Sequence, residues 1–368
     1  MTAEDTGIPA EIGPYRIAEL LGKGGMGVVY RGISPAGEQV AVKQIRAVDF
    51  DAEERARFAV EMEALRTVFG SRTASFVEGD AEAEQPWLAM EYIPGATLRA
   101  WVADHGPLEP AMVAIMGAVL AEGLVSIHQA DLLHRDLKPH NIVLAADGPK
   151  VIDFGLALLN AEKVARIEDP ARISRTGRVV GTLVCMAPEQ VRQSSLTTAA
   201  DVFGLGATLL YAATGHYPFT NADSEYALIR KIESPGEHPD LSGLAADLVA
   251  PLTAMLAHEP EDRPALKVAC DLLLAVVEKT GLSPLEARER LRRITAAGVA
   301  RQAEPEDGLT PTPKPKREAS VAVSHSELPA GAVLAADRLR TAYARGRRCN
   351  RVLGPLRLVT FPGLGRWQ

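Results

Sequence analysis

From residue 15 the pattern of apolar and polar positions reads as strand, glycine turn, strand, turn, strand. Ile17 to Leu21 is apolar, Gly22 to Gly27 forms a turn, and Val28-Val29-Tyr30 is β-prone. Ala36-Gly37 then turns the chain into the alternating strand Gln39-Val-Ala-Val-Lys43. Glu53 to Phe69 is predicted helical, because Phe58, Met62, Leu65 and Phe69 recur three or four residues apart. Strands at Ala74–Val77 and Trp87–Tyr92 complete a sheet with one helix. After Gly95 the character changes to a long apolar helix at 110–130, followed by helical stretches at 199–214, 225–232, 244–256 and 265–280. Short strands at Asn141–Leu144 and Lys150–Ile152 flank a turn at Asp147-Gly148. The pattern predicts an α+β chain with a small β-rich lobe, 14–92, and a larger helical lobe, 96–280, joined near Tyr92 to Gly95.

A helical extension and proline-rich linker are expected over 281–328, with Thr310-Pro-Thr-Pro-Lys-Pro-Lys-Arg317 extended. The tail, 329–368, holds Asp337 as its one acid beside eight arginines and shows no period; it is expected to be disordered.

Composition adds exclusions. A net charge of −7 gives no sign of a nucleic-acid partner. Cys185, Cys270 and Cys349 are too few and too scattered for a disulfide framework or zinc cluster, and fit a reducing cytoplasm. The acidic start lacks the pattern of a signal peptide. No unbroken apolar run reaches the roughly 18 residues that span a bilayer. Leu272–Val277 is taken as the longest candidate, so a soluble protein without a membrane span is expected.

The chemistry lies in a few motifs. Gly22-Lys-Gly24-Gly-Met-Gly27-Val-Val29 is a weak signal alone, since such a loop also opens dinucleotide-binding domains. Those continue into a helix, whereas β-prone residues follow here, so a glycine hairpin covering phosphates fits better. Lys43, in Val40-Ala-Val-Lys43, can hold α/β phosphates if a carboxylate orients it. Glu61 on the predicted helix is the favoured carboxylate, with Glu54 and Glu63 as competitors. His134-Arg-Asp136-Leu-Lys138-Pro-His-Asn141 followed by Asp153-Phe-Gly155 is a strong signal. Phosphoryl transfer needs oxygen ligands for Mg2+ and a carboxylate to take the attacking hydroxyl's proton. Asn141 and Asp153 suit Mg2+ (or Mn2+), and Asp136 stands close enough to share one loop with Asn141. Lys138 lies between them and can neutralise the γ-phosphate.

At these residues the chain resembles the eukaryotic-like (Hanks-type) protein kinases, especially bacterial serine/threonine kinases, over about 14–280. The resemblance implies a bilobal kinase fold, ATP as co-substrate and protein Ser/Thr hydroxyls as acceptors. It implies that Val29 and Ala41 cover the adenine, with Val143 beneath it and Leu21 a further nucleotide contact. Met90 would be the gatekeeper, and Glu91 and Ile93 would offer hinge backbone groups. Gly181-Thr182 and Ala187-Pro188-Glu189 match the end of the activation segment, while Asp201 and Arg263 match architectural anchors. Ser174 and Thr176 fall where autophosphorylation is expected, and such exchange calls for a transient homodimer. The chain departs from the family at Cys185, where an aromatic is common. That thiol is either redox-sensitive or a small semi-buried filler.

Overall fold

A computed structural model describes residues 8–24, 27–45, 52–154, 183–192, 194–220 and 222–303. Gly155, Ser174, Thr176 and Thr182 lie outside the described residues, as do the proline-rich linker and the basic tail.

The small lobe is an antiparallel sheet of β1 (Glu11–Ile12), β2 (Tyr15–Lys23), β3 (Gly27–Ile33), β4 (Gln39–Ile45), β5 (Phe76–Asp80) and β6 (Trp87–Glu91). Their order is β1-β2-β3-β4-β6-β5. Period-2 alternation sends successive side chains to opposite faces, and here both faces are covered. Val40, Val42, Trp87 and Ala89 join Tyr15 and Tyr30 on one side. Ile45, Leu88 and Met90 face the other side, with Phe58, Met62 and Leu65 of helix α1 (Ala52–Leu65). Burial on both faces explains why Trp87-Leu-Ala-Met90 reads as an unbroken apolar run.

The large lobe begins with β7 (Gly95–Thr97) and α2 (Leu98–His105). Thr97 ends the strand and caps the helix, its Oγ1 accepting from Ala100 N at 3.2 Å. Helix α3 (Pro110–His128) is buried on nearly all sides. Strands β8 (Ile142–Ala145) and β9 (Gly148–Val151) pair with β7 in the order β7-β8-β9. Then follow α4 (Pro188–Val191), α5 (Thr198–Thr214), α6 (Glu225–Glu233), α7 (Ala246–Met255), α8 (Leu266–Lys279) and α9 (Pro284–Ala303). Helices α5, α8 and α9 pack on α3. Gly117 permits this closeness, since a Cβ there would lie 2.6 Å from Leu209 and 2.7 Å from Leu273.

Three expectations are corrected. The longest apolar stretch belongs to α3, not to Leu272–Val277, and it runs unbroken from Pro110 to Ala121 before Glu122. Among the described residues α3 is the one helix long and apolar enough to cross a membrane, and 78% of its apolar window is buried inside the fold. The first helix ends at Leu65 rather than Phe69. Tighter turns, Thr67 N to Ala64 O and Val68 N to Leu65 O, finish it and leave Phe69 82% exposed. Finally, Ala74 is drawn away from the sheet by bonding its N–H to Val151 O (3.0 Å), so β5 starts two residues later.

Candidate active site

The loop between α3 and β8 is hung from one carboxylate. Asp201, in the first turn of α5, accepts from His134 N and Arg135 N, each at 2.8 Å, and lies 2.7 Å from His128 Nε2. Burial alone would raise the Asp201 pKa, but the His128 hydrogen bond and the nearby imidazoles hold it below the carboxylate norm. His134 Nδ1 accepts from Asp136 N at 3.3 Å, so its proton sits on Nε2, 3.2 Å from Ile152 O. Burial depresses its pKa and keeps that imidazole neutral. Arg135 takes the left-handed conformation (φ 61°), a strained choice for a large side chain.

Clamped this way, the loop brings Asp136, Lys138 and Asn141 together. Lys138 Nζ donates to both Asp136 oxygens, at 2.9 and 2.8 Å. Asn141 Nδ2 donates to Asp136 O (2.8 Å) and Oδ2 (3.2 Å). Those partners are acceptors only, which fixes the amide's orientation and turns Oδ1 the other way. Ile152 N donates to Asn141 O at 2.9 Å, tying the loop to the residue before Asp153.

Asp153 also adopts φ 61°, and its Oδ2 lies 3.0 Å from Lys43 Nζ on β4. Burial pushes its pKa up, but the Lys43 charge and hydrogen bond outweigh that, with Lys138 adding, so the carboxylate stays ionised. Phe154 beside it is buried, its ring 6.5 Å from that of His134. Lys43 forms an ion pair with Asp153, a partner that the sequence spacing does not indicate. The fold brings the part-exposed Asp153 carboxylate to 3.0 Å from the buried Lys43 ammonium, close enough for a strong attraction. Glu61 lies on the same side of the sheet and is buried in α1.

The remaining predicted contacts lie on the sheet, on the segment that joins the lobes and on β8. Leu21, Gly22 and Gly24 belong to the β2–β3 hairpin, where Gly24 N donates to Gly27 O at 2.9 Å. Gly27 is needed by the fold, because a Cβ there would strike the Gln44 carbonyl. Gly22 is not: among the described residues a Cβ on it meets no atom within 4 Å, and its φ is ordinary. Space is left outside the hairpin for something else to approach the backbone. Arg31 of β3 pairs in register with Ala41, Ala41 with Met90, and Val29 with Lys43. The Glu91 carboxylate turns outward to Ser75 N (3.2 Å) and Lys150 Nζ (3.3 Å), so only its backbone can serve the cleft. Ile93 is buried, and among the described residues its N–H has no hydrogen-bond partner. Val143 is buried on β8.

A second ion pair braces the site. Arg263 Nη1 and Nη2 donate to the two Glu189 oxygens at 2.6 and 2.8 Å. The other donors reach Ala257 O, Ala199 O and His258 O, and the guanidinium lies 4.9 Å over the Phe203 ring. Cys185 is buried near Asp136 and Lys138, and burial drives its thiol pKa well above the ordinary value. The filler reading follows. Cys185 is expected to resist alkylation and mild peroxide in the native protein, and to react after unfolding. Modification at native rates like those of an exposed thiol would count against it.

A donor set of one carboxylate and one amide oxygen, Asp153 and Asn141, suits a hard cation that keeps most of its ligands from water and phosphate. Among the described residues no group of three or more His, Cys, Asp or Glu forms a richer metal cage.

Comparison with known proteins accords with this geometry. The family model for the protein kinase domain matches residues 15–273. A probable serine/threonine-protein kinase PkwA of Thermomonospora curvata is 46% identical over 259 residues, covering 70% of this chain and 33% of that protein. Serine/threonine-protein kinase AfsK of Streptomyces griseus is 43% identical, covering 65% of this chain and 29% of the other. PknK of Mycobacterium tuberculosis is 31% identical over 367 residues, covering 94% of this chain and 31% of the relative. The chain thus spans about a third of the length of these curated relatives. The solved structure of Rad53 1-466 in complex with AMP-PNP shares the fold, with a TM-score of 0.57 at 23% identity over 72% of this chain and 65% of that one. Matched by the protein kinase model from 15 to 273, across both lobes, the chain belongs to the protein kinase family, among the Hanks-type bacterial serine/threonine kinases.

Proposed function

We propose that this chain transfers the γ-phosphoryl group of ATP to serine and threonine hydroxyls of proteins, its own activation segment included. The observation that carries the reading is the Asp136–Lys138–Asn141 cluster held within one loop opposite Asp153 and Lys43. The adenine would lie between Ala41 and Val143 and take the Ile93 N–H, which lacks a partner among the described residues. The triphosphate would pass beneath Gly22 and Gly24, where among the described residues a Cβ would meet nothing closer than Gly27 O at 4.0 Å. Lys43, already beside Asp153, would hold the α/β phosphates.

In the transfer step the acceptor oxygen forms its bond to the γ-phosphorus as the bond to the β-phosphate oxygen breaks. Its proton passes to an Asp136 oxygen, and ADP leaves. Lys138 bridges both Asp136 oxygens, so it orients the carboxylate and puts a cation beside the charge on the moving phosphoryl group. Mg2+ or Mn2+, when held by Asn141 and Asp153, supplies charge neutralisation on the β- and γ-phosphates. The test is incubation with γ-labelled ATP and a generic basic protein, with mapping of the labelled residues. Absence of label on both proteins would sink the reading.

Ser174 and Thr176 are the proposed phosphosites, though both lie outside the described residues. Support comes from Arg135, whose buried Nε has no hydrogen-bond partner among the described residues. A phosphate brings about −1.5 to −2 charge and acceptor oxygens, which such a guanidinium is built to bind. Replacing both with alanine is expected to remove label from the segment and lower activity toward other proteins by an order of magnitude or so. Unchanged label and activity would exclude them. One copy would phosphorylate another in a transient homodimer. A reducing, cytoplasmic setting suits the buried Cys185 thiol.

A further inference from the structure

Helix α9 lies beyond the residues matched by the kinase family, which end at 273. It nonetheless packs on β7, β8 and β9 as well as on α3. Its first half is tied to α3 by Arg290 to Glu109 (2.7 Å) and by Arg288 to Glu122. Ala287, Leu291 and Thr295 are buried along one side. Further on, Gly298 sits against Trp101 of α2, so closely that a Cβ would lie 2.5 Å from the indole Cζ3.

Trp101 is only one turn past Thr97, the residue that both ends β7 and caps α2. Strand β7 in turn presses on β8: a Cβ on Gly95 would lie 2.5 Å from Leu144 O and 3.1 Å from Val143 Cγ1. Ile93 stands two residues before Gly95. Gly298 is thus linked to both residues assigned to the adenine, by packing on Trp101 of α2, by the contacts of α2 with β7 and of β7 with Val143 on β8, and by the chain from Gly95 back to Ile93.

We propose that α9 is a positioning element of the nucleotide site, in which Gly298 seated on Trp101 sets where β7 and β8 carry Ile93 and Val143. This rests on the kinase reading, which assigns those two residues to ATP. Gly298→Ala is the informative change, because alanine favours the helix over glycine while its methyl group displaces Trp101. ATP affinity is measured by competition against a fluorescent nucleotide, on the full chain. It is expected to fall about five-fold or more, the low end of couplings between separate sites. KM for ATP rises in step, while kcat and KM for the protein substrate stay within about two-fold, as uniform loss of nucleotide binding requires. Adding Trp101→Leu, which vacates space for the methyl group, is expected to recover most of the loss.

A general loss of folding would instead lower the melting temperature and kcat without this pattern, and would not be rescued by a smaller residue at 101. Unchanged ATP affinity in a folded Gly298→Ala protein overturns the proposal. So does a loss that Trp101→Leu fails to relieve. Wild-type protein that binds no ATP overturns both this and the kinase reading, whereas wild-type binding indifferent to position 298 overturns this one alone.

Discussion

Replacing Asp136 with asparagine is expected to lower kcat for protein phosphorylation by about 10²- to 10⁴-fold, the usual worth of a positioned proton acceptor. KM for ATP should move much less than kcat, because the contacts assigned to the adenine and to the α/β phosphates lie elsewhere, on Ala41, Val143, Ile93 and Lys43. Both Asp136 oxygens now accept hydrogen bonds, Oδ1 from Lys138 and Oδ2 from Lys138 and Asn141. Asparagine turns one of them into a donor facing another donor, so it removes the acceptor and loosens Lys138 as well. Steady-state rates with a basic protein substrate read the effect. A variant that keeps its rate within about three-fold of wild type would show that the proton goes elsewhere, since a lost general base costs far more.

The second large effect concerns stability. Arg263 spends every one of its guanidinium hydrogens on Glu189, Ala257, Ala199 and His258. Lysine offers three donors from one point and cannot grip both Glu189 oxygens in parallel. Arg263→Lys is therefore expected to destabilise the protein by about 3–5 kcal/mol, nearly as much as Arg263→Met, because each leaves a buried carboxylate under-partnered. Denaturant midpoints at unchanged slope would show it. A lysine variant within about 1 kcal/mol of wild type would mean that a simple charge suffices at that site. Activity is expected to fall as well, because Glu189 belongs to α4, which directly follows Cys185 and Met186 beside the catalytic loop.

Much of the site was legible in the sequence because its chemistry is written in contiguous residues. Asp136, Lys138 and Asn141 share one loop, so their spacing alone brings them together. Asp201 and Arg263 were legible only through resemblance, since nothing in their local pattern announces partners 67 and 74 residues away. The ion pair of Lys43 with Asp153 was not legible. Sequence spacing favoured a carboxylate on the neighbouring helix and does not indicate that the fold brings Asp153 within reach of Lys43. The end of α1 was misread for a related reason: Phe69 continues a helical period, but the last turn tightens and no surface receives its ring. Helix α9 hides its buried side among small and polar residues, Ala287, Thr295 and Gly298, which an apolar period does not register. Strand β7 and α2 escaped because three residues of strand running straight into a cap leave no period to read.

The single carboxylate of Asp201 divides the labour of the molecule. Because it grips consecutive amides of the catalytic loop from α5, the proton acceptor is built entirely within the helical half. The hairpin and Lys43 belong to the other half and meet that machinery through Asp153. If the chain works as proposed, opening of the cleft to admit ATP would change the grip on the nucleotide, while the bonds from Asp201 would hold the loop of Asp136 in its shape.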